Sequence, residues 1–507
     1  MSRLIRVVFG APVALPRAVE PLLRVGVIVE SLTPPAWIAR AIENIAASPH
    51  AVLAQIIRCG RTAAMREPHG LLTRIYTRVD ANRFRTRDDA LEPRELSVVM
   101  PHADGQELDV IVTFCDCAPV TRARFGVWTH ELPDGLHELA TQQTHTIAAL
   151  RNVDDGTVIA SARVATDAIS LHRAMNRLRW KCATLATTAL RDLRTSGTTG
   201  SHPVDDSHRR AESPSFQMGS LAKIATRFLV QKIRDVATNE QWFVAFRFGG
   251  DIDDLRSFHR IEPPRDRLWA DPFVIQDGDR AWIFVEEMLF ADHRGALAVI
   301  EARRDGTWLP PVRILERPYH LSYPCVFRWN GDFYMVPETG GDRTVQLFRA
   351  TDFPLRWEQV SVLVRDIEAV DATPFEHEGR WWMYLTTPST PNVYDELSLY
   401  VADTPLGPWT PHRRNPILSD IVGGRCAGRP FRRNGALIRA AQDGAKRYGH
   451  AMQLREIITL SDDAWEERAI GRILPDWAAG IGGTHTLNVD GEVMVVDGFR
   501  DRLAVRS

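Results

Sequence analysis

Five polar residues of unlike chemistry, Asp271, Tyr323, Asp371, Arg429 and His485, stand at corresponding places in the second half of the chain, separated by 52, 48, 58 and 56 residues. Each lies just ahead of a turn signal: Asp277-Gly278, Asn330-Gly331, Glu378-Gly379, Asn434-Gly435 and Asp490-Gly491. Two carboxyl groups can divide acid and base work, one giving a proton to a leaving oxygen and the other facing the opposite side of the reacting carbon. Asp271 and Asp371 offer such a pair. Glu338 is a third carboxyl that could serve as the acid, or an ordinary strand-end carboxylate paired to a cation, and Glu286 and Glu287 admit the same two readings. Arg429 suits bidentate binding of a phosphate or carboxylate, or an ion pair with Asp271 or Asp371, but it cannot act as a proton donor. His485, flanked by Thr484 and Thr486, reads as a base, as a donor held by Asp497, or as a satisfied structural histidine.

The elements that must position these residues are hairpins. They begin at Ala270 (ADPFVIQDGDRAWIFVEE), Ser322, Val370, Gly428 and Thr484, and Asn-Gly or Asp-Gly between β-rich runs is a strong hairpin signal. A repeat of about fifty residues matches a four-stranded blade. Five such units predict a five-bladed β-propeller over residues 216–507, opening with a helix at Leu221–Val236. The segment QWFVAFRF from Gln241 is placed to complete the last blade. The aligned position starts the innermost strand of each blade, so the five residues are expected to meet in the central channel.

At 507 residues the chain exceeds one hydrophobic core. Residues 195–215, TSGTTGSHPVDDSHRRAESPS, read as an exposed linker. Residues 1–194 carry uniformly apolar runs at Val25–Glu30, Val52–Ile57 and Leu108–Phe114, with a helical pattern from Trp37 to Ile45 and a closing helix at Ser170–Leu193. This predicts an α/β domain with a parallel sheet covered on both faces. Net charge is −2, which gives no overall footprint for nucleic acid or an acidic membrane. Six cysteines are too scattered for a disulfide framework, and the Cys115-Asp116-Cys117 triplet has no second pair at zinc spacing, so no metal is expected. Pro12 and Pro16 interrupt the only apolar run near the start, and no run reaches the ~20 residues needed to span a bilayer. The expectation is a cytoplasmic protein that is not integral to a membrane.

The segment A-D-P-F-V-x-x-D-G at Ala270–Gly278, with Asp371 two blades on, resembles the five-bladed propeller clan of glycoside hydrolases that includes arabinanases, xylosidases and invertases. The resemblance implies that Asp271 is a base or nucleophile and Asp371 a tuning carboxylate. It also implies a fourth-blade glutamate as general acid, where this chain has Arg429. Y-P-x-V-F at Tyr323–Phe327, P-E-T at Pro337–Thr339, A-G-R-P-F at Ala427–Phe431 and A-Q-D at Ala441–Asp443 resemble the propeller region of glucosamine inositolphosphorylceramide transferases. That likeness implies a place in glycan or glycolipid assembly and adds Gln442 and Asp443 as substrate-binding candidates beside Tyr323, Arg429 and His485. The strand at Leu108, F-G-V-W-T-H-E at Phe125–Glu131 and V-D-D-G-T-V-I at Val153–Ile159 resemble formyltransferases, with His130 and Asp154 matching the family's site and Trp128 replacing its asparagine. Losing that amide removes an oxyanion contact, so the domain reads as a degenerate formyltransferase.

No Walker loop, G-x-G-x-x-G, G-x-S-x-G or H-E-x-x-H is present. The leading expectation is glycosyl transfer on a sugar, sugar phosphate or nucleotide sugar in the channel, with no cofactor. A glycoside hydrolase, an amino-sugar N-formyltransferase using formyl-folate, and a non-catalytic glycan-binding scaffold are the alternatives. Association with membrane-bound glycan assembly enzymes is a further expectation.

Overall fold

The computed structural model describes residues 21–59, 71–98, 105–115, 122–197, 218–390 and 393–503. The apolar run near the start, most of the linker, and Asp116 and Cys117 lie outside the described residues.

The first domain is built on strands β1 (Leu23–Val29), β2 (Ala51–Arg58), β3 (Val110–Thr113), β4 (Val127–Glu131), β5 (His145–Asn152) and β6 (Val158–Ala165), in the sheet order β2-β1-β3-β4-β5-β6. Helices α1 (Ala36–Ala47), α2 (Leu71–Phe84), α3 (Leu136–Thr141) and α4 (Leu171–Ser196) accompany them. Pairing is parallel from β2 to β4 and antiparallel from β4 to β6. The sheet is therefore mixed, where the sequence predicts a parallel one. The short link from Asn152 to Val158, turning through Gly156, can join only antiparallel neighbours. Val25, Val27, Val110 and Val112 pack with Trp37, Ile42 and Ile45 of α1 and Leu178, Cys182 and Leu185 of α4. Ser170 caps α4 by accepting a hydrogen bond from the Arg173 amide.

Helix α5 (Met218–Ala237) leads directly into β7 (Thr238–Phe248). Five antiparallel sheets follow, and they form the predicted five-bladed propeller. The first strands of blades one to three are Arg267–Asp277, Ser322–Trp329 and Val370–His377. Blade five consists of Leu487–Asp490, Val493–Leu503, β7 and His259–Ile261, so β7 closes the ring as its sequence predicts. Asp271 N donates to Asp497 Oδ2 and Asn488 Nδ2 donates to the Pro272 carbonyl, which locks the last blade to the first.

The turns explain the register. In blades two to four both turn residues have positive φ, for example Asn330 at 50° and Gly331 at 86°, the conformation that twists with the flanking strands. Blade four breaks its inner strand into two: Arg425–Cys426 and Phe431–Arg433 pair separately with Ala436–Asp443. Between the two pieces, Gly428 has φ 123°, and a Cβ there would lie 2.0 Å from the Leu487 carbonyl oxygen. Only glycine fits.

The two domains meet through α4 and β6 on one side and blade three with the segment that follows it on the other. Lys181 Nζ lies 2.9 Å from Asp395 Oδ1 with both side chains buried, Arg163 pairs with Asp420, and Arg191 donates to the carbonyls of Arg414 and Pro416.

Candidate active site in the propeller channel

Asp271, fifth in its strand, and Tyr323 and Asp371, second in theirs, adopt φ of 51°, 46° and 54°. Left-handed backbone costs a non-glycine residue about 1–2 kcal/mol, so the surrounding contacts must hold all three. The shared kink turns these side chains toward the axis. It also shows that the fourth-blade equivalent is Gly428 rather than Arg429.

Two clusters result. In the first, Asp497 accepts hydrogen bonds from the His485 and Thr486 amides at 2.9 and 3.0 Å, and its Oδ2 lies 2.6 Å from His485 Nδ1. His485 Nε2 then faces Asp271 Oδ1 at 3.5 Å and the Tyr448 hydroxyl at 3.1 Å. Thr486 Oγ1 donates to Asp271 at 2.8 Å, and the Trp242 ring lies against the imidazole with centroids 4.0 Å apart. Burial lowers the His485 pKa, but Asp497 and Asp271 outweigh it and raise it to about 9. Burial pushes Asp271 up to about 7; the His485 cation opposes this, and Glu286, Asp371 and Asp497 add to it.

In the second cluster Arg425 Nε donates to Asp371 Oδ2 at 2.6 Å, and Gln442 donates to the Cys426 carbonyl at 2.9 Å with Asp371 at 3.5 Å. The Arg425 guanidinium lies 4.8 Å from the Tyr448 ring, so Tyr448 bridges the clusters at the mouth, where half its surface is exposed. Glu338, half-buried at the end of the second strand of blade two, is raised to about 8. Burial is the main cause, followed by the Asp371 carboxylate. Beside it, His320 Nε2 is 3.3 Å from Glu286, and the Gly295 amide donates to Nδ1.

The channel thus holds a protonated carboxyl at neutral pH, an ion-paired carboxylate and a carboxyl poised near neutrality. Asp271, His485 and Asp497 are the one trio among the described residues whose ligating atoms gather within 4.8 Å. Asp497 spends its oxygens on three backbone amides and His485, so the trio fits a hydrogen-bonded relay better than a metal.

Residues 262–477 match the family described as glucosamine inositolphosphorylceramide transferase 1, N-terminal. Relatives named glucosamine inositolphosphorylceramide transferase 1 from Oryza sativa subsp. japonica and Arabidopsis thaliana are each 34% identical over 203 residues, 39% of this chain. The chain spans only 27% and 26% of those relatives' lengths. Among solved structures, a family 117 glycoside hydrolase of Zobellia galactanivorans matches 53% of this chain and 92% of its own, at 15% identity and a TM-score of 0.34. An exo-1,5-α-L-arabinanase from a bovine ruminal metagenomic library matches 47% and 94%, at 14% identity and a TM-score of 0.33. The formyltransferase likeness of the first domain gains no support from these matches.

Asp271, Asp371 and His485 meet in the channel as their aligned positions predict, and Glu338 and Gln442 lie there with them. The other candidates do not. Arg429 turns to the opposite mouth, where it donates to the Val326 carbonyl and lies 3.7 Å from Asp490, because Gly428 takes its aligned place. Tyr323 is fully buried, its hydroxyl accepting from the Gly428 amide and bonded to Thr373, which makes it a spacer under the channel rather than a substrate contact. Asp443 pairs with Arg472 outside the cluster, and Glu287 is held by Arg267, Arg313 and Trp269.

In the first domain Trp128 is fully buried, donating to the Phe125 carbonyl. His130 stacks on Phe114, bonds to the Cys182 carbonyl and is lowered to about 4 by burial. It stands opposite Leu150 in the sheet and is enclosed by Phe114 and the Cys182 carbonyl, whereas Asp154 lies on the exposed turn that follows Asn152. The three residues do not converge. Sequence reasoning missed Arg425 and Tyr448. Gly428, a glycine inside a strand pattern, was the available signal for the break that brings Arg425 inward; Tyr448 sits on a loop with no repeat equivalent.

Proposed function

We propose that the propeller channel binds a sugar and promotes transfer of its glycosyl group in glycan or glycolipid assembly. The observation that carries this reading is Glu338, a carboxyl raised to about 8 in the same channel as Asp371, ion-paired to Arg425, and Asp271, raised to about 7. Glu338 gives its proton to the leaving oxygen as the glycosidic C–O bond breaks. The acceptor hydroxyl attacks the anomeric carbon and passes its proton to Asp271. Asp371 keeps Glu338 protonated by its charge, and solvent exchange restores both groups. The names of the matched relatives support a substrate in which the sugar joins an inositol-phosphate lipid headgroup.

Hydrolysis is the second reading, and the same glutamate favours it. The aligned position of blade four lacks an acid, but blade two supplies one in Glu338, so water can stand where the acceptor hydroxyl would. Product analysis separates the two: incubation with glycosyl donors, with and without inositol-phosphate lipid, reads transferred against free sugar by mass spectrometry. Glu338→Gln should lower turnover by about 10²- to 10⁴-fold. Unchanged turnover in both Glu338→Gln and Asp271→Asn would remove the channel as the site of chemistry.

A further inference from the structure

Helices α2 and α5 touch where the end of α2 meets the middle of α5, with Phe84 and Phe228 in edge contact at 6.2 Å between centroids and the Arg83 guanidinium 4.7 Å from the Phe228 ring. Both helices present large aliphatic side chains to solvent. On α2 these are Leu71, Leu72, Ile75 and Val79; on α5 they are Leu229, Val230, Ile233 and Val236. The spacing places them on stripes along each helix. Leu71 is 74% exposed, Ile233 58% and Val236 72%, far beyond the scattered exposure normal for soluble surfaces. Leu503 is 80% exposed and, paired opposite Thr238, extends the patch from the end of α5.

The charge of these helices is one-sided. Helix α2 carries Arg74, Arg78 and Arg83, and α5 carries Lys223, Arg227, Lys232 and Arg234; their only acids are Asp80 and Asp235. Asp80 is buried and accepts from Ser170 and His172, so it does not face the surface. Arg234 is paired with Asp501 and Arg227 donates to the Leu139 and Ala168 carbonyls, which leaves Lys223 and Lys232 of α5, with the arginines of α2, as the local cationic excess that the chain's total of −2 conceals. Aliphatic stripes set among lysine and arginine are what an interfacial helix needs to seat in a bilayer containing anionic lipid. Among the described residues no helix is long and apolar enough to cross a membrane, so the contact is with its surface.

The patch also lies toward the channel. Helix α5 runs straight into β7, whose Trp242 stacks on His485 at the mouth. We infer that the exposed aliphatic stripes of α2 and α5 dock this protein on an anionic lipid surface, with the propeller mouth on the same side. The docking stands on its own observations and does not depend on the chemistry of the channel.

Sedimentation of the full chain with vesicles tests it. Binding should be several-fold stronger to phosphatidylcholine mixed with phosphatidylserine than to phosphatidylcholine alone, and should weaken as salt is raised. Leu229→Ser with Ile233→Ser should reduce binding on the order of tenfold or more. Lys223→Glu with Lys232→Glu should reduce it roughly fivefold per cation removed. Circular dichroism melting should be unchanged in both variants, showing that the fold survives. Equal binding to the two vesicle types, no binding to either, or variants that bind as the wild type would overturn the inference. So would a concentration-dependent dimer by light scattering that the Leu229 and Ile233 substitutions abolish, since a second copy would then be the occupant.

Discussion

Arg425 holds Asp371 through a 2.6 Å hydrogen bond from Nε to Oδ2, with the aspartate side chain almost fully buried. Removing one partner of such a pair leaves an uncompensated charge, so Arg425→Ala should destabilise the protein by about 3 kcal/mol. Loss of the cation also raises Glu338 further and frees Asp371 to move, and misplacement near a reacting centre can cost roughly 10²-fold in turnover. Arg429→Ala should leave turnover within about twofold, because its weak pair with Asp490 at the far mouth is worth at most about 1 kcal/mol. Denaturant unfolding and steady-state kinetics on the two variants provide the comparison. Equal loss from both would return the anion-binding role to Arg429.

Asp497 positions His485. Its carboxylate lies 2.6 Å from Nδ1 and is the larger of the two charges that raise the imidazole to about 9. Asp497→Asn keeps the shape and removes the charge, while burial remains. The His485 pKa should then fall by at least one unit, measured by following its ring protons in NMR across pH. A value still near 9 would assign the effect to Asp271 instead.

Much of the propeller could be read from the chain because its turns are written in residue types that permit positive φ. Asn330-Gly331 and Asn434-Gly435 mark hairpins wherever they sit, and β7 was recognisable as the missing strand of blade five. The site was less legible where blade four departs from the repeat. Counting back from Asn434-Gly435 assumes an unbroken strand, and the interruption at Gly428 shifts Arg429 out of the channel and admits Arg425. In the first domain, uniform apolar runs at β1 and β3 give no sign of strand direction, and the turn at Gly156 alone signals that β5 and β6 run antiparallel. A near-zero net charge likewise hid the cationic helices, since total charge carries no information about placement.

Gly428 makes a sharper test of that interruption. Its φ of 123° disfavours any side chain, and a Cβ would meet the Leu487 carbonyl oxygen at 2.0 Å. Gly428→Ala must therefore shift the backbone between blades four and five, where Arg429 N also donates to Asn488. A loss of about 3 kcal/mol or more is expected in chemical denaturation, in the range of severe steric substitutions. Gly435→Ala has nothing within 4 Å of its Cβ and is opposed only by φ 83°, so it should cost about 1–2 kcal/mol. Equal costs would mean that blade four accommodates a side chain at 428.

Glu338 ties both stability and activity to pH, each declining as its carboxyl ionises, and one substitution separates the two effects. Its carboxyl rises from an ordinary 4.5 to about 8 on folding. The folded protein therefore binds the proton more tightly than the unfolded chain, and the corresponding stability is fully present below pH ~4.5 and lost as pH climbs through about 8. In Glu338→Gln that loss disappears, so the melting temperature of the variant should gain on the wild type steadily between those limits. Turnover by the wild type needs Glu338 protonated and Asp271 ionised, and should fall above about 8 and below about 7, as apparent values of coupled groups. The variant should lose the alkaline limb along with most of its rate. Thermal melts and rate profiles across the same pH series decide the matter: a melting difference that stays flat with pH would mean that Glu338 is ionised in the folded channel, and the acid of the proposed reaction would have to be sought in Asp271.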